Sequence, residues 1–535
     1  MKKILCALFA LFMLGGISIA QPARPKLVVG IVIDQMRWDY LYRYQARYGE
    51  GGFKRLLNEG FSCENTRIPY IPSVTAIGHT SIYTGSVPSI HGIAGNNFVI
   101  NGNIVYCTDD NNVKPVGSDG KAGYMSPANL WVTTIGDELR IATNNRSKVI
   151  GVSIKDRASI LPAGHNPNGA FWFDDECGKF ITSTYYMDKL PEWVNDFNKK
   201  KVADKYLGEK WETLYPIETY KESTSDANNY EKGIVKDASA TMPLDLPSLF
   251  KKHGYKIIRN TPFGNSMTLD LAKAAVEGEN LGGGSDTDFL AISCSSTDYI
   301  GHQVGTHAIE TEDTYLRLDK SLADFFTYLD NKVGKGNYLV FLTADHGAMN
   351  SAQYLIDQRI PAGSYSETKA MEAINNALLA KYPSAGKLVK YLMNYQVFFD
   401  MDKINSLNLN YDEIKAIAVE TLKKDPNVLY ACDMEKASES SIPEEVKYRI
   451  INGYNRERSG GVQIVTKPGW YDGSLQGTTH GMWNPYDTHI PLVFMGWGIK
   501  HGATTKPHYM TDIAPTVAAL LHIQAPSGCI GEPIF

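Results

Sequence analysis

The chain has 535 residues, 53 Lys and Arg against 58 Asp and Glu, and 43% hydrophobic side chains. A formal charge of −5 argues against a basic surface for nucleic acid or anionic membrane. The length and apolar content allow a large buried core, built as one domain with insertions or as two.

Met1-Lys2-Lys3, the apolar run from Ile4 to Ile17 and the small-residue site Ser18-Ile19-Ala20 before Gln21 read as a signal peptide, residues 1–20. A membrane anchor needs ~20 apolar residues. No comparable run follows, so residues 21–535 are expected to be exported and soluble, without a membrane span. Cys6 lies too early for a lipoprotein cysteine, which disfavours a lipid anchor. Without Lys2 and Lys3 the 53 basic residues fall by two against 58 acidic ones, a mature charge of about −7. Cys63, Cys107, Cys177, Cys294, Cys432 and Cys529 remain, scattered singly and without C-x-x-C, so a thiolate metal site is not expected. Their pairing is not determined by sequence.

Continuous apolar runs at Leu27 to Ile33, Val149 to Ile154, Phe289 to Ile292, Tyr338 to Leu342 and Ile490 to Met495 have the character of strands buried on both faces of a parallel sheet. Tyr315, Leu318, Leu322, Phe325 and Leu329 mark one face of a helix that stops near Gly334. Strand and helix alternate, which predicts an α/β fold with a doubly wound, mostly parallel sheet. Segments at about 160–285, closing on Leu281-Gly-Gly-Gly-Ser285, and at about 352–478 read as insertions that cap the site.

Side chains that bind metals cluster just after these runs. Asp34 ends Lys26-Leu-Val-Val-Gly-Ile-Val-Ile, where a carboxylate needs a partner; an ion serves, and so does a turn that the Asp caps. Asp298 and His302, four apart, share one face of a helical turn and can meet one ion or simply each other. Asp345-His346-Gly347 follows Tyr338 to Leu342, and Gly347 permits the sharp turn that lets both side chains reach one ion. His480, in Thr478-Thr479-His480-Gly481, completes two sets of three ligands, which leaves an open position on each ion as in catalytic sites. Thr75, in Pro72-Ser-Val-Thr-Ala-Ile-Gly-His-Thr80, falls at the N-terminus of a helix ending at Thr84-Gly85, as a cap or as a nucleophile. Asn96 can supply donors, and on an extended chain Lys155 and Arg157 point to one side, as a phosphate clamp or as an ordinary solvated strand end. Together these residues look like a two-zinc phosphoryl-transfer site.

The ordered set Asp34, Thr75, Asn96, Lys155/Arg157, Asp298/His302, Asp345/His346 and His480 resembles the alkaline phosphatase superfamily, in particular its bacterial monomeric, phosphate-irrepressible alkaline phosphatases. The likeness runs to Tyr486-Asp-Thr-His-Ile-Pro491 and Thr511-Asp-Ile-Ala-Pro-Thr516. It implies one Zn2+ held by Asp298, His302 and His480, and a second by Asp34, Asp345 and His346 with Thr75 as the reacting ligand. It further implies phosphoryl binding by Asn96, Lys155 and Arg157, a phosphothreonine intermediate, broad hydrolysis of small phosphate monoesters, a periplasmic or secreted location and a monomer. The chain lacks the sulfatase Cys-x-Pro-x-Arg and the Asp-Ser-Ala nucleophile of dimeric phosphatases. A nucleotide phosphodiesterase or pyrophosphatase of the same superfamily, and an exported metal-binding protein without turnover, are the competing readings.

Overall fold

Leu27–Ile33 forms a strand (β1) in which every residue is buried, in keeping with its unbroken apolar character. A computed structural model describes residues 23–535; the expected signal peptide, 1–20, lies outside the described residues. The other strands of the same sheet are β2 (Phe61–Cys63), β3 (Pro115–Val116), β4 (Val149–Ser153), β5 (Gly169–Asp174), β6 (Lys179–Ser183), β7 (Asp288–Cys294), β8 (Tyr338–Thr343), β9 (Leu492–Gly496) and β10 (Gly502–Thr504). Their order is β10-β2-β9-β8-β1-β7-β4-β5-β6-β3.

The five central strands, β8-β1-β7-β4-β5, are parallel; β9 and β6 turn antiparallel against them. The apolar run expected at Ile490 to Met495 is split. Pro491 has no N–H for a ladder, so Ile490 pairs with Thr66 while Leu492–Gly496 joins the large sheet. Helices on both faces bury one extensive apolar core against the sheet. The helix foreseen from its apolar face spans Ile309–Leu329 and ends in a wider turn at Asp330–Gly334.

Residues 160–285 contribute β5, β6 and the helix Phe263–Gly278, whereas 352–478 build a separate four-stranded sheet with a core of its own. All six described cysteines are free thiols, and Cys294 is buried. No helix of the described residues is long and apolar enough to cross a membrane.

Three further helices matter for the site: α1 (Thr75–Thr84), α2 (Asp156–Ala163) and α3 (Ser296–Val304). Because β1, β4, β7 and β8 run parallel, the residues that follow them emerge at one edge of the sheet, the usual place for a ligand in such folds.

Candidate active site

Asp34 follows β1, Lys155 follows β4, Asp298 lies in α3 after β7, and Asp345 and His346 follow β8. The loop carrying His480 and the start of α1 close the ring, with His480 Nδ1 donating to the Ser73 carbonyl at 2.7 Å. His302 and His346 do the same, through Nδ1, to the carbonyls of Thr478 (2.9 Å) and Gly347 (3.0 Å). A carbonyl only accepts, so each neutral ring keeps its Nε2 lone pair for the site. This use of one imidazole nitrogen to aim the other is the arrangement found around metal ligands.

The distances fit an ion. His346 Nε2 lies 3.5 Å from Asp34 Oδ1, 3.4 Å from Asp345 Oδ2 and 3.5 Å from Thr75 Oγ1. Tetrahedral bonds of ~2.1 Å place ligand atoms ~3.4 Å apart. Asp34 Oδ1 and Asp345 Oδ2 are buried without a hydrogen-bond partner. A buried orphan carboxylate oxygen carries a desolvation penalty that a cation removes. On the other side of His346, Asp298 Oδ1 lies 3.1 Å from His302 Nε2 and 3.7 Å from His480 Nε2. Two sets of potential ligand atoms lie within 4.8 Å of one another, Asp34/Asp345/His346 and Asp298/His346/His480. His346 thus stands between the two groups, and His302 touches the second through Asp298.

Charge tells the same story. Two carboxylates share one ammonium, Lys155 Nζ, which donates to Asp34 Oδ2 at 2.7 Å and Asp298 Oδ2 at 2.6 Å. Burial, aided by Asp345, pushes Asp34 well above the usual carboxylate range. Burial also raises Asp298, but His302 and Lys155 outweigh it and hold that carboxyl well below its ordinary value. For His480, burial and the neighbouring His346 and His302 rings depress protonation strongly. The residues present therefore suit divalent cations: carboxylate oxygens without partners, and imidazoles that each turn Nε2 toward the site.

Thr75 is the first residue of α1, one position inside the helix rather than its cap, with Val74 before it and Gly85 in a left-handed conformation closing the other end. Its hydroxyl is buried beside His346. Asn96 accepts the Ala76 N–H at 2.9 Å, so its amide is fixed against the same helix start. Lys155 and Arg157 differ from the extended-chain expectation. The strand ends at Ser153, and Arg157 already belongs to the first turn of α2. Arg157 donates to Tyr106 Oη at 2.9 Å and keeps a buried Nε without a partner, while Lys155 is engaged by Asp34 and Asp298.

Three residues near the site gave no separate signal in the sequence. Gln35, with a left-handed φ of 66°, donates its N–H to Asp345 Oδ1 (3.1 Å) and its Nε2 to Asp298 Oδ1 (2.6 Å), bridging the two groups. His79 packs behind Thr75, its Nδ1 donating to the Thr75 carbonyl. At Gly78 a Cβ would sit 2.4 Å from the Asp345 carbonyl oxygen, so only glycine lets α1 lie against that segment. Gln35 and the far nitrogen of His79, 2.9 Å from Ser293 Oγ, depend on contacts remote in sequence, and Gly78 on a close approach of two backbones.

Residues 28–487 match the family described as type I phosphodiesterase/nucleotide pyrophosphatase. The chain belongs to this family, within the alkaline phosphatase superfamily. Its relatives include a protein of Myroides odoratus named calcium-transporting ATPase, 53% identical over 100% of this chain and 98% of that protein. Alkaline phosphatase PafA of Elizabethkingia meningoseptica is 54% identical over 100% of this chain and 98% of its own. Alkaline phosphatase PhoV of Synechococcus elongatus is 55% identical, with coverages of 96% and 92%. The crystal structure of PafA superposes with a TM-score of 0.93, covering 96% of this chain and 98% of PafA, so the doubly wound superfamily fold holds throughout.

Proposed function

We propose that the chain is an exported phosphomonoesterase, working as a monomer in the periplasm or outside the cell, that hydrolyses small phosphate monoesters through a phosphothreonine at Thr75. The same reading takes residues 21–535 as one α/β unit with inserted segments, and the cofactor as two Zn2+ ions. One would be held by Asp298, His302 and His480, the other by Asp34, Asp345 and His346 beside Thr75. The observation that carries it is three aimed imidazoles, His346 facing the partnerless oxygens of Asp34 and Asp345, and His302 and His480 facing Asp298 Oδ1. The full-length relatives named alkaline phosphatase supply the reaction class.

When bound, two such cations neutralise charge on the attacking and leaving oxygens of an in-line displacement and make a neighbouring hydroxyl easier to ionise. The Thr75 oxygen attacks phosphorus; a Thr75 O–P bond forms as the bond to the leaving alcohol breaks. Its place in the first turn of α1 puts the developing charge at the positive end of the helix. Asn96, fixed through Ala76, and the Lys155 and Arg157 side chains supply donors for the phosphoryl oxygens. Water then cleaves the phosphothreonine and releases inorganic phosphate. Such a reaction needs alignment and charge neutralisation more than covalent help, and the site is equipped for both.

The matching family is described for diesterases, so the choice between ester classes rests on Lys155 and Arg157. A monoester offers one more unesterified oxygen and one more negative charge for a cationic pair to engage. Hydrolysis of p-nitrophenyl phosphate and of bis-p-nitrophenyl phosphate, before and after EDTA and with metal analysis, tests the reading. Monoester turnover that EDTA abolishes and zinc restores is expected. A protein that holds zinc without turnover, or prefers the diester, overturns it.

A further inference from the structure

Behind the site runs a buried chain of five hydrogen bonds that the mechanism does not use. The Lys155 backbone N–H donates to Ser153 Oγ at 3.1 Å, Ser153 Oγ lies 3.1 Å from Ser295 Oγ, and Ser295 Oγ lies 3.0 Å from Ser293 Oγ. Ser293 Oγ is 2.9 Å from His79 Nε2, and His79 Nδ1 is 2.9 Å from the Thr75 carbonyl oxygen. None of the four side chains is more than 1% exposed.

With His79 Nε2 as an acceptor, the two ends set the direction of every link. A backbone N–H can only donate and a carbonyl can only accept. His79 therefore carries a hydrogen on Nδ1, which also lies 3.3 Å from Asp345 Oδ2, and with Nε2 as the acceptor of the next link it takes the Ser293 hydroxyl hydrogen. Ser293 in turn accepts from Ser295, Ser295 from Ser153, and Ser153 from Lys155. Each hydroxyl donates once and accepts once, so all the dipoles point one way and reinforce one another in dry surroundings. The placement follows from the sheet. Ser153 and Ser293 are register partners in the parallel pair β4·β7, and residues so paired project to the same face. Ser295 stands at the entry to α3, and His79 comes down from α1.

Resting on the roles given above to Thr75 and Lys155, we propose that Ser153, Ser293, Ser295 and His79 form a positioning element that fixes the main chain of the nucleophile relative to the main chain of the phosphoryl-binding lysine. These residues come from α1, β4, β7 and the turn before α3, and without a rigid link their relative placement would relax independently. Breaking one link strands a buried donor on one side and an acceptor on the other, and a shift of ~1 Å in reacting groups can lower a rate by up to ~10²-fold.

The test uses the zinc-loaded full chain carrying Ser153→Ala, Ser293→Ala and Ser295→Ala, singly and in pairs. Monoester and diester kcat/KM, zinc content and thermal midpoint are read for each. A series connection predicts that every single change lowers monoester kcat/KM by about tenfold, with zinc retained. The monoester-to-diester ratio should fall with it, because Lys155 loses its register, and each pair should do no worse than its members. Multiplicative losses, or a lowered midpoint with unchanged kcat/KM and ratio, overturn the proposal. The unmodified protein supplies a check that needs no variant to fold: 15N shifts of labelled histidine should show a hydrogen on His79 Nδ1, and an Nε2–H tautomer with bare Nδ1 overturns it. Wild-type turnover with unaffected variants sinks this link alone; absence of monoester turnover in the wild type sinks the functional reading and this inference with it.

Discussion

His346 and His480 lie face to face, their ring centroids 3.4 Å apart and their planes 14° from parallel. Two imidazolium ions at that spacing would repel strongly, and burial already depresses both rings, His480 well below the ordinary value. The stack keeps both Nε2 atoms as lone-pair donors. His302 is the exception: burial opposes its charge, but Asp298 at 3.1 Å raises its pKa.

The signs give a proton-release prediction. A histidine with a raised folded pKa adds stability that is full below its unfolded value of ~6.5 and is lost as pH rises through the folded value. In metal-free protein the His302–Asp298 pair therefore favours the protonated ring at and somewhat above pH 6.5, and Asp34 also tends to hold a proton. Zinc requires both groups without their protons. Zinc binding near pH 6.5 should release protons and weaken as pH falls, and His302→Ala should release fewer. Calorimetry in buffers of different ionisation enthalpy measures the number; none released would exclude His302 as a ligand.

Thr75→Ala should remove the nucleophile while leaving Asp34, Asp345 and His346 in place. Turnover of monoesters is expected to fall by a factor on the order of 10⁴ or more, as when other covalent nucleophiles are deleted. Zinc content should stay at the wild-type level. Rapid-quench detection of a phosphorylated protein in the wild type, and its absence in the variant, provides the direct check; near-normal kcat in Thr75→Ala would refute the assignment.

Gly78→Ala separates packing from chemistry. An added Cβ would meet the Asp345 carbonyl oxygen at 2.4 Å, its Cβ at 2.6 Å and its Cα at 2.8 Å. Alanine gains up to ~1 kcal/mol in helix propensity, but overpacking against a backbone that cannot rotate away costs about 1–3 kcal/mol. Overpacking wins, and α1 must move away from Asp345, carrying Thr75 with it. Lower denaturant midpoints together with reduced kcat/KM are expected. A variant as stable and active as wild type would show that α1 has slack at this contact.

Much of this was legible beforehand because the ligand-type residues follow strands whose apolar runs are unbroken. Asp34, Asp298 and Asp345 could be placed at one sheet edge from β1, β7 and β8 alone. Asp298 and His302 meet as their spacing required. What the sequence hid was set by tertiary contact. Gln35 bridges residues 263 and 310 positions away, and the Ser153–Ser295–Ser293 chain exists only because β4 and β7 are neighbours in register. The departure of Arg157 from an extended conformation is hidden because nothing local marks where β4 stops and α2 begins; Lys155 itself provides the cap position, without a side-chain cap.

Lys155 and Arg157 offer the sharpest test of ester class. Lys155 is buried between Asp34 and Asp298, which keep its ammonium charged against the pull of burial. Cations on the Oδ1 atoms of those carboxylates would draw charge from the Oδ2 atoms that hold the ammonium, and an ammonium so loosened has the phosphoryl group as its next anion. Arg157, anchored to Tyr106, keeps a buried Nε–H without a partner and so retains a donor to offer. Removing one such contact in a closed site typically costs ~10²–10³ in rate. In Lys155→Ala/Arg157→Ala, monoester kcat/KM should fall by at least that factor, whereas a diester, with one fewer charged oxygen to engage, should lose much less. The ratio of the two, measured side by side on the zinc-loaded double variant, should shift toward the diester by roughly 10²-fold. An unchanged ratio would mean that these side chains only neutralise Asp34 and Asp298 and do not read the substrate.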